Sequence, residues 1–154
     1  MKKEIYISKN LMRRFISECI KKYPQKAFGY FISSEKDGNP IDYIMFKNDI
    51  RNAWKEQFEK YGNYYKIHAD AGFLATEEET YCIYKELKER NMRVVGVFHS
   101  HQRHPAIFSK VDIDLHPSTN LWHLIISLRN VEQPQIKAFG LDGELPYEIK
   151  ITEN

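Results

Sequence analysis

Val94-Val95-Gly96-Val97-Phe98-His99-Ser100-His101, followed after a polar loop by Ser109-Lys110-Val111-Asp112, is the stretch on which the reading of this chain turns. Its near-continuous apolar first half predicts a strand buried on both faces. Side chains alternate along a strand, so His99 and His101 face one side together and Ser100 the other. Gly96 leaves room for a close neighbour. Two imidazoles with one carboxylate suit Zn²⁺, and Asp112 is the first carboxylate after the loop. Such a set leaves a fourth position for water, which zinc acidifies to a pKa of roughly 7. Plainer accounts exist. Two histidines near a strand end can be polar surface. Ser109 with Asp112 three residues on also reads as a helix N-cap with an acidic N3 residue. A helix start there would hold Asp112 rigidly, so capping and ligation are compatible.

His-Ser-His, seven intervening residues, Ser, two residues and Asp resembles the signature of the JAMM (MPN-type) zinc metalloproteases, matched here by His99-Ser100-His101, Ser109 and Asp112. The resemblance covers most of the chain, from the first helix to the last strands. It implies zinc ligation by His99, His101 and Asp112, and an oxyanion-stabilising role for Ser109. It also implies a mixed α/β domain of the cytidine-deaminase-like type, its central sheet sandwiched between helices. One position departs. The family carries a catalytic glutamate in a Glu-x-x-Gly context just past a proline, and here the run is Pro24-Gln25-Lys26-Ala27-Phe28-Gly29. Lys26 stands in the general-base position. A glutamate would take a proton from the zinc-bound water and hand it to the leaving amine, whereas a protonated lysine cannot accept one. Burial and a neighbouring cation favour the neutral amine, which could act as a base. Alternatively the chain keeps the metal site with hydrolysis lost, weakened or redirected.

At 154 residues, with 42% apolar and 29% charged residues, the chain suits one globular domain, 1–154. A net charge of +2 is too small to suggest nucleic acid as a partner. No apolar run is long enough to span a membrane, and Met1-Lys2-Lys3-Glu4 leads into Ile5-Tyr6-Ile7 without a signal peptide. Cys19 and Cys82 read as reduced, half-buried thiols on helices, consistent with a cytoplasmic protein.

The remaining pattern is a scaffold. A strand over Glu4–Ile7 precedes a helix from Lys9 to Tyr23 that is capped by Ser8. Its apolar face carries Leu11, Phe15, Cys19 and Tyr23, and Pro24 stops it. Ala27–Ser33 and Ile41–Phe46 form a hairpin around Lys36-Asp37-Gly38-Asn39. Trp54, Phe58, Tyr61, Tyr64 and Tyr65 are either core packing, with a strand near Tyr64–Ile67, or a substrate-facing lip. His68 and Asp70 are weaker metal candidates than the three ligands named. Thr76 to Glu79 is a capping box for a helix that runs to about Arg90, burying Ile83, Tyr84 and Leu87 and stopping near Asn91. The central strand spans Arg93 to His99. His104, in the following loop, is an exposed polar residue or a substrate contact. A turn over Pro117–Asn120 precedes a strand over Trp122–Leu128. Gln135–Leu141 and Tyr147–Thr152 pair around Asp142-Gly143.

JAMM enzymes typically cut a peptide or isopeptide bond at the tail of a ubiquitin-like or sulfur-carrier protein. The resemblance therefore implies such a partner, and the short chain after Asp112 suits the small prokaryotic-type members. The alternative is a catalytically impaired binding or scaffold module that recognises the same kind of tail. A cytidine-deaminase-like zinc enzyme is disfavoured, because the Pro-Cys-x-x-Cys ligand pair is missing. Oligomeric state leaves no mark in the sequence.

Overall fold

Ser8 turns the chain from its first strand, β1 (Glu4–Ile7), into its first helix, α1 (Lys9–Lys22), in a computed structural model that describes residues 2–34, 36–47, 76–115 and 120–154. The Ser8 hydroxyl accepts the Leu11 N–H at 3.0 Å, satisfying a donor that the first turn leaves without a partner. Leu11, Met12, Phe15 and Cys19 form the buried stripe of α1. The stripe ends there: Tyr23, expected on the apolar face, is the C-cap residue and 42% exposed.

After Pro24 come β2 (Phe28–Ser33) and β3 (Asp42–Met45), an antiparallel hairpin whose turn carries Gly38 at φ 78°. The expected strand near Tyr64, the aromatic cluster from Trp54 to Tyr65, His68, Asp70 and most of the turn at 117–120 lie outside the described residues. The next helix, α2 (Glu77–Glu89), starts on Thr76, whose hydroxyl accepts the Glu79 N–H at 3.1 Å. The Glu79 carboxylate accepts the Lys47 N–H at 2.6 Å, tying the helix to the end of the hairpin. α2 closes in a Schellman motif. Asn91 sits at φ 53°, Met92 N–H donates to Leu87 O at 2.9 Å and Asn91 N–H to Lys88 O at 3.2 Å. Ile83 and Leu87 are buried, but Tyr84, expected beside them, is 47% exposed.

β4 (Arg93–His101) runs two residues past its expected end, so both histidines lie on the strand itself. It pairs antiparallel with β2 and parallel with β5 (Trp122–Ser127), and the crossover between β4 and β5 contains the short helix α3 (Lys110–Leu115). A Cβ on Gly96 would come within 2.5 Å of the Trp122 ring, so only glycine fits beneath the indole. β6 (Gln135–Asp142) and β7 (Leu145–Glu153) form the closing hairpin over Gly143, and β7 pairs parallel with β1. The seven strands lie in the order β1-β7-β6-β5-β4-β2-β3.

Helices cover both faces of this sheet, giving the expected mixed α/β architecture. On one face Phe15 of α1 packs against Phe31 and Phe98, with ring centroids 5.0 and 4.8 Å apart. On the other, Ile83 and Leu87 of α2 meet Phe28, Ile32, Phe46 and Val97, while Ala106 and Phe108 cover Ile125 and Leu141. Phe31 pairs with Gly96 and Ile32 with Val94, so Val95 is a bulge residue. Beyond it Val97 turns to the α2 side and Phe98 to the α1 side, which places His99 and His101 with Val97. Cys19 is fully buried and Cys82 exposed, both as free thiols, so neither is half-buried. No helix among the described residues is long and apolar enough to cross a membrane.

Candidate metal centre

The end of β4 and the start of α3 meet under the α2-side face. There Nε2 of His99 lies 3.0 Å from Nε2 of His101 and 2.8 Å from Oδ1 of Asp112, and His101 Nε2 is 3.6 Å from Oδ2. All three residues are buried. Zn–N and Zn–O bonds of about 2.0–2.1 Å at tetrahedral angles require donor–donor separations of roughly 3.3 Å. The observed separations straddle that length, and one set of donors among the described residues converges in this way, with its atoms within 4.8 Å of one another. The donor set fits a small divalent cation and leaves a coordination position for something else.

Each donor is held from behind. The Ser109 N–H donates to Asp112 Oδ2 at 2.9 Å and the Ser109 hydroxyl donates to the same oxygen at 2.6 Å. The Asp112 N–H returns a bond to Ser109 Oγ at 3.2 Å. This is a reciprocal N-cap, so the capping expectation and the carboxylate's place in the cluster hold together. His101 Nδ1 donates to the Pro105 carbonyl at 2.9 Å. His99 Nδ1 lies 2.8 Å from Nε2 of His123. Between the two ligand-face histidines, Ser100 points to the α1 side, where its hydroxyl accepts the Ala27 N–H at 2.8 Å. Its own N–H donates to Ala27 O at 2.8 Å, fastening the segment that leads into β2 to the end of β4.

Burial is the main influence on His99, pushing its imidazolium down to about 4, with the charges of His101 and Lys26 acting the same way and Asp112 opposing. Burial alone would raise the Asp112 carboxyl, but the attraction of His99 and bonds from both histidines hold it well below the usual carboxylate range. Both shifts run toward the forms in which an imidazole and a carboxylate can bind a cation.

Lys26 is buried two residues before β2, next to Ala27, and its charge is felt at His99. The structure therefore brings His99, His101, Ser109 and Asp112 together, with Lys26 near enough for its charge to act on His99. His104 is partly exposed and is not one of the three converging donors, and its carbonyl accepts the Ser127 hydroxyl. His123 is the residue that sequence reasoning passes over. Its signal is a single histidine inside the apolar run Trp122-His123-Leu124-Ile125-Ile126, a costly residue to bury without a partner.

Comparison with known proteins gives the following. The chain matches the family described as prokaryotic homologs of the JAB domain over residues 8–141. The solution structure of a Desulfitobacterium hafniense protein is similar at a TM-score of 0.61 and 19% identity, over 97% of this chain and 92% of that one. A Salinibacter ruber protein is similar at 0.61 and 17% identity, over 99% of this chain and 91% of its own. The crystal structure of a JAB1/MPN domain protein from Archaeoglobus fulgidus is similar at 0.53 and 16% identity, over 99% of this chain and 100% of its own. At these identities the likeness is one of fold. No curated protein matches the chain significantly.

Proposed function

The chain belongs to the family of prokaryotic homologs of the JAB domain, and from that premise we propose that it is a zinc-dependent peptidase or isopeptidase acting at the tail of a ubiquitin-like or sulfur-carrier protein. The observation that carries this reading is the buried convergence of His99, His101 and Asp112, with Asp112 locked by the Ser109 cap. These three residues would hold the zinc, which when bound supplies Lewis acidity to water and to a carbonyl.

The chain's own residues do the rest. Ser109 Oγ is anchored by the Asp112 N–H, so its O–H can rotate from the carboxylate toward an oxyanion without the oxygen moving. The Pro105 carbonyl accepts from His101 Nδ1–H and so turns Nε2 of that ring toward the cluster. Lys26 places a cation beside the donors where the family has a glutamate. As an ammonium it can orient a carbonyl or protonate a leaving amine, but it takes up no proton. That same residue favours a second reading, a module that binds the tail without cutting it.

Zinc content of the purified protein tests the metal, with Asp112→Ala alongside. About one zinc per chain, lost in the variant, is expected, and tight zinc binding by Asp112→Ala would overturn the ligand set. A ubiquitin-like protein with a C-terminal peptide extension separates the two readings. Cleavage by the natural chain supports the peptidase. Cleavage by Lys26→Glu alone assigns the natural chain to binding.

A further inference from the structure

At the end of the sheet away from the metal centre, a cavity of about 380 Å³ opens where β5 and β7 begin and β6 ends. β5 runs from Trp122, in the wall of this cavity, to Ile125 opposite His99, about 10 Å along the strand at roughly 3.3 Å per residue. The volume lies in the range of small-molecule sites. Two glycines give the cavity its walls. A Cβ on Gly140 would come within 2.4 Å of the Tyr147 phenol, as one on Gly96 would meet the Trp122 indole. Gly140 and Tyr147 are partners across β6 and β7, so the phenol lies back over the neighbouring strand. Both rings line the cavity, and Ile149 joins it to the core on the α1 face. The indole is fixed in place, because its Nε1–H donates to Gly38 O at 3.1 Å.

The charged groups at this cavity are of opposite sign. Lys2 is half-buried, and its Nζ donates to Asp37 O at 2.8 Å, which holds the ammonium in position and occupies one of its three N–H donors. Asp142 is exposed, and among the described residues its carboxylate takes part in no hydrogen bond or ion pair, with Lys2 or with any other group. An anion here would meet the charge of Asp142 and a cation that of Lys2, whereas a ligand that carries both charges finds a partner for each. Asn120 adds an amide that can donate and accept.

We propose that this cavity binds a free α-amino acid with an apolar side chain. Its carboxylate lies toward Lys2, its ammonium toward Asp142, and its side chain against the walls that Trp122, Tyr147 and Ile149 provide. The fixed indole and the tethered ammonium leave little to be ordered on binding. The site is independent of the metal reading above and uses none of its residues.

Calorimetric titration of the full chain, untagged, with L-leucine and L-phenylalanine tests this. Binding of at least one is expected, with the Trp122 Nε1–H resonance moving in ¹H–¹⁵N spectra as the site fills. Leucine amide lacks the carboxylate and N-acetyl-leucine lacks the ammonium, so each should bind roughly fivefold more weakly than leucine, the contribution of one charge pair near a surface. Lys2→Ala should weaken leucine by about the same factor and leave leucine amide unchanged. Asp142→Asn should weaken leucine likewise and leave N-acetyl-leucine unchanged. Failure of both amino acids to bind at millimolar concentration would overturn the proposal. So would an analogue with one charge that binds as tightly as leucine, or a leucine complex that neither variant weakens. Binding that leaves the Trp122 resonance in place would put the ligand elsewhere and overturn it too. Should either variant fail to fold in a thermal melt, the analogue series on the natural chain decides. Zinc content and hydrolysis are not read, so failure here leaves the peptidase reading standing.

Discussion

Replacing Ser109 by alanine removes two bonds and leaves a third. The hydroxyl accepts from the Asp112 N–H at 3.2 Å, the N-cap bond of α3, and it donates to the Asp112 carboxylate at 2.6 Å. The Ser109 N–H to Asp112 Oδ2, at 2.9 Å, survives the substitution. Loss of an N-cap side chain costs about 1 kcal/mol. Loss of a buried hydrogen bond to a charged acceptor costs about 2 kcal/mol. The sum, about 3 kcal/mol, corresponds in a chain of this size to a fall in Tm of about 9 °C, at about 3 °C per kcal/mol. The measurement is a thermal melt of metal-free protein followed by circular dichroism, so it does not depend on the zinc reading. A melt indistinguishable from that of the natural chain would refute the view that this serine holds the start of α3 and the carboxylate together. Under the peptidase reading the same variant should also lose roughly 10²- to 10³-fold in turnover, as removal of an oxyanion donor does elsewhere.

Two further outcomes follow from other parts of the molecule. Gly96→Ala drives a methyl to within 2.5 Å of the Trp122 ring between the two central strands, and overpacking of this kind should cost about 1–3 kcal/mol in urea denaturation; an unchanged midpoint would mean the indole moves aside freely. Acid should destabilise the metal-free protein: His99 titrates at about 4 when folded and near 6.5 when unfolded, so between those values the unfolded chain binds the extra proton. Stability contributed by the neutral ring is complete above pH 6.5 and is lost as pH falls to about 4, approaching about 3 kcal/mol; urea melts across that window that show no pH dependence would count against a buried neutral His99.

What could be read without coordinates was local. The i, i+2 placement of His99 and His101, the cap from Ser109 to Asp112, and the caps at Ser8 and Thr76 are set by strand pleat and helix geometry within a few residues. The three donors themselves fall within one strand–loop–helix unit. Features decided by pairing over long separations were not legible in the same way. Tyr23 and Tyr84 are both exposed although their spacing matches buried neighbours, Tyr23 because α1 ends one residue before it. The extra residue at Val95 exists because β2 and β4 change register at Phe31 and Ile32, a property of the pair of strands.

The same division runs through the site. The motif carries the donors, but the groups that tune them arrive from elsewhere: Lys26 just before β2, which adds to the depression of His99, and His123 on β5, whose ring nitrogen meets His99 across 24 residues of sequence. A parallel pair needs a crossover, so its register cannot be read from a turn as a hairpin's can. His123 looked like one polar interruption in an apolar strand until β4 and β5 were aligned. Two chains with identical His-Ser-His…Ser…Asp motifs can therefore differ in the groups that surround the donors. In this chain the side chains that neighbouring segments bring to His99 are Lys26 and His123.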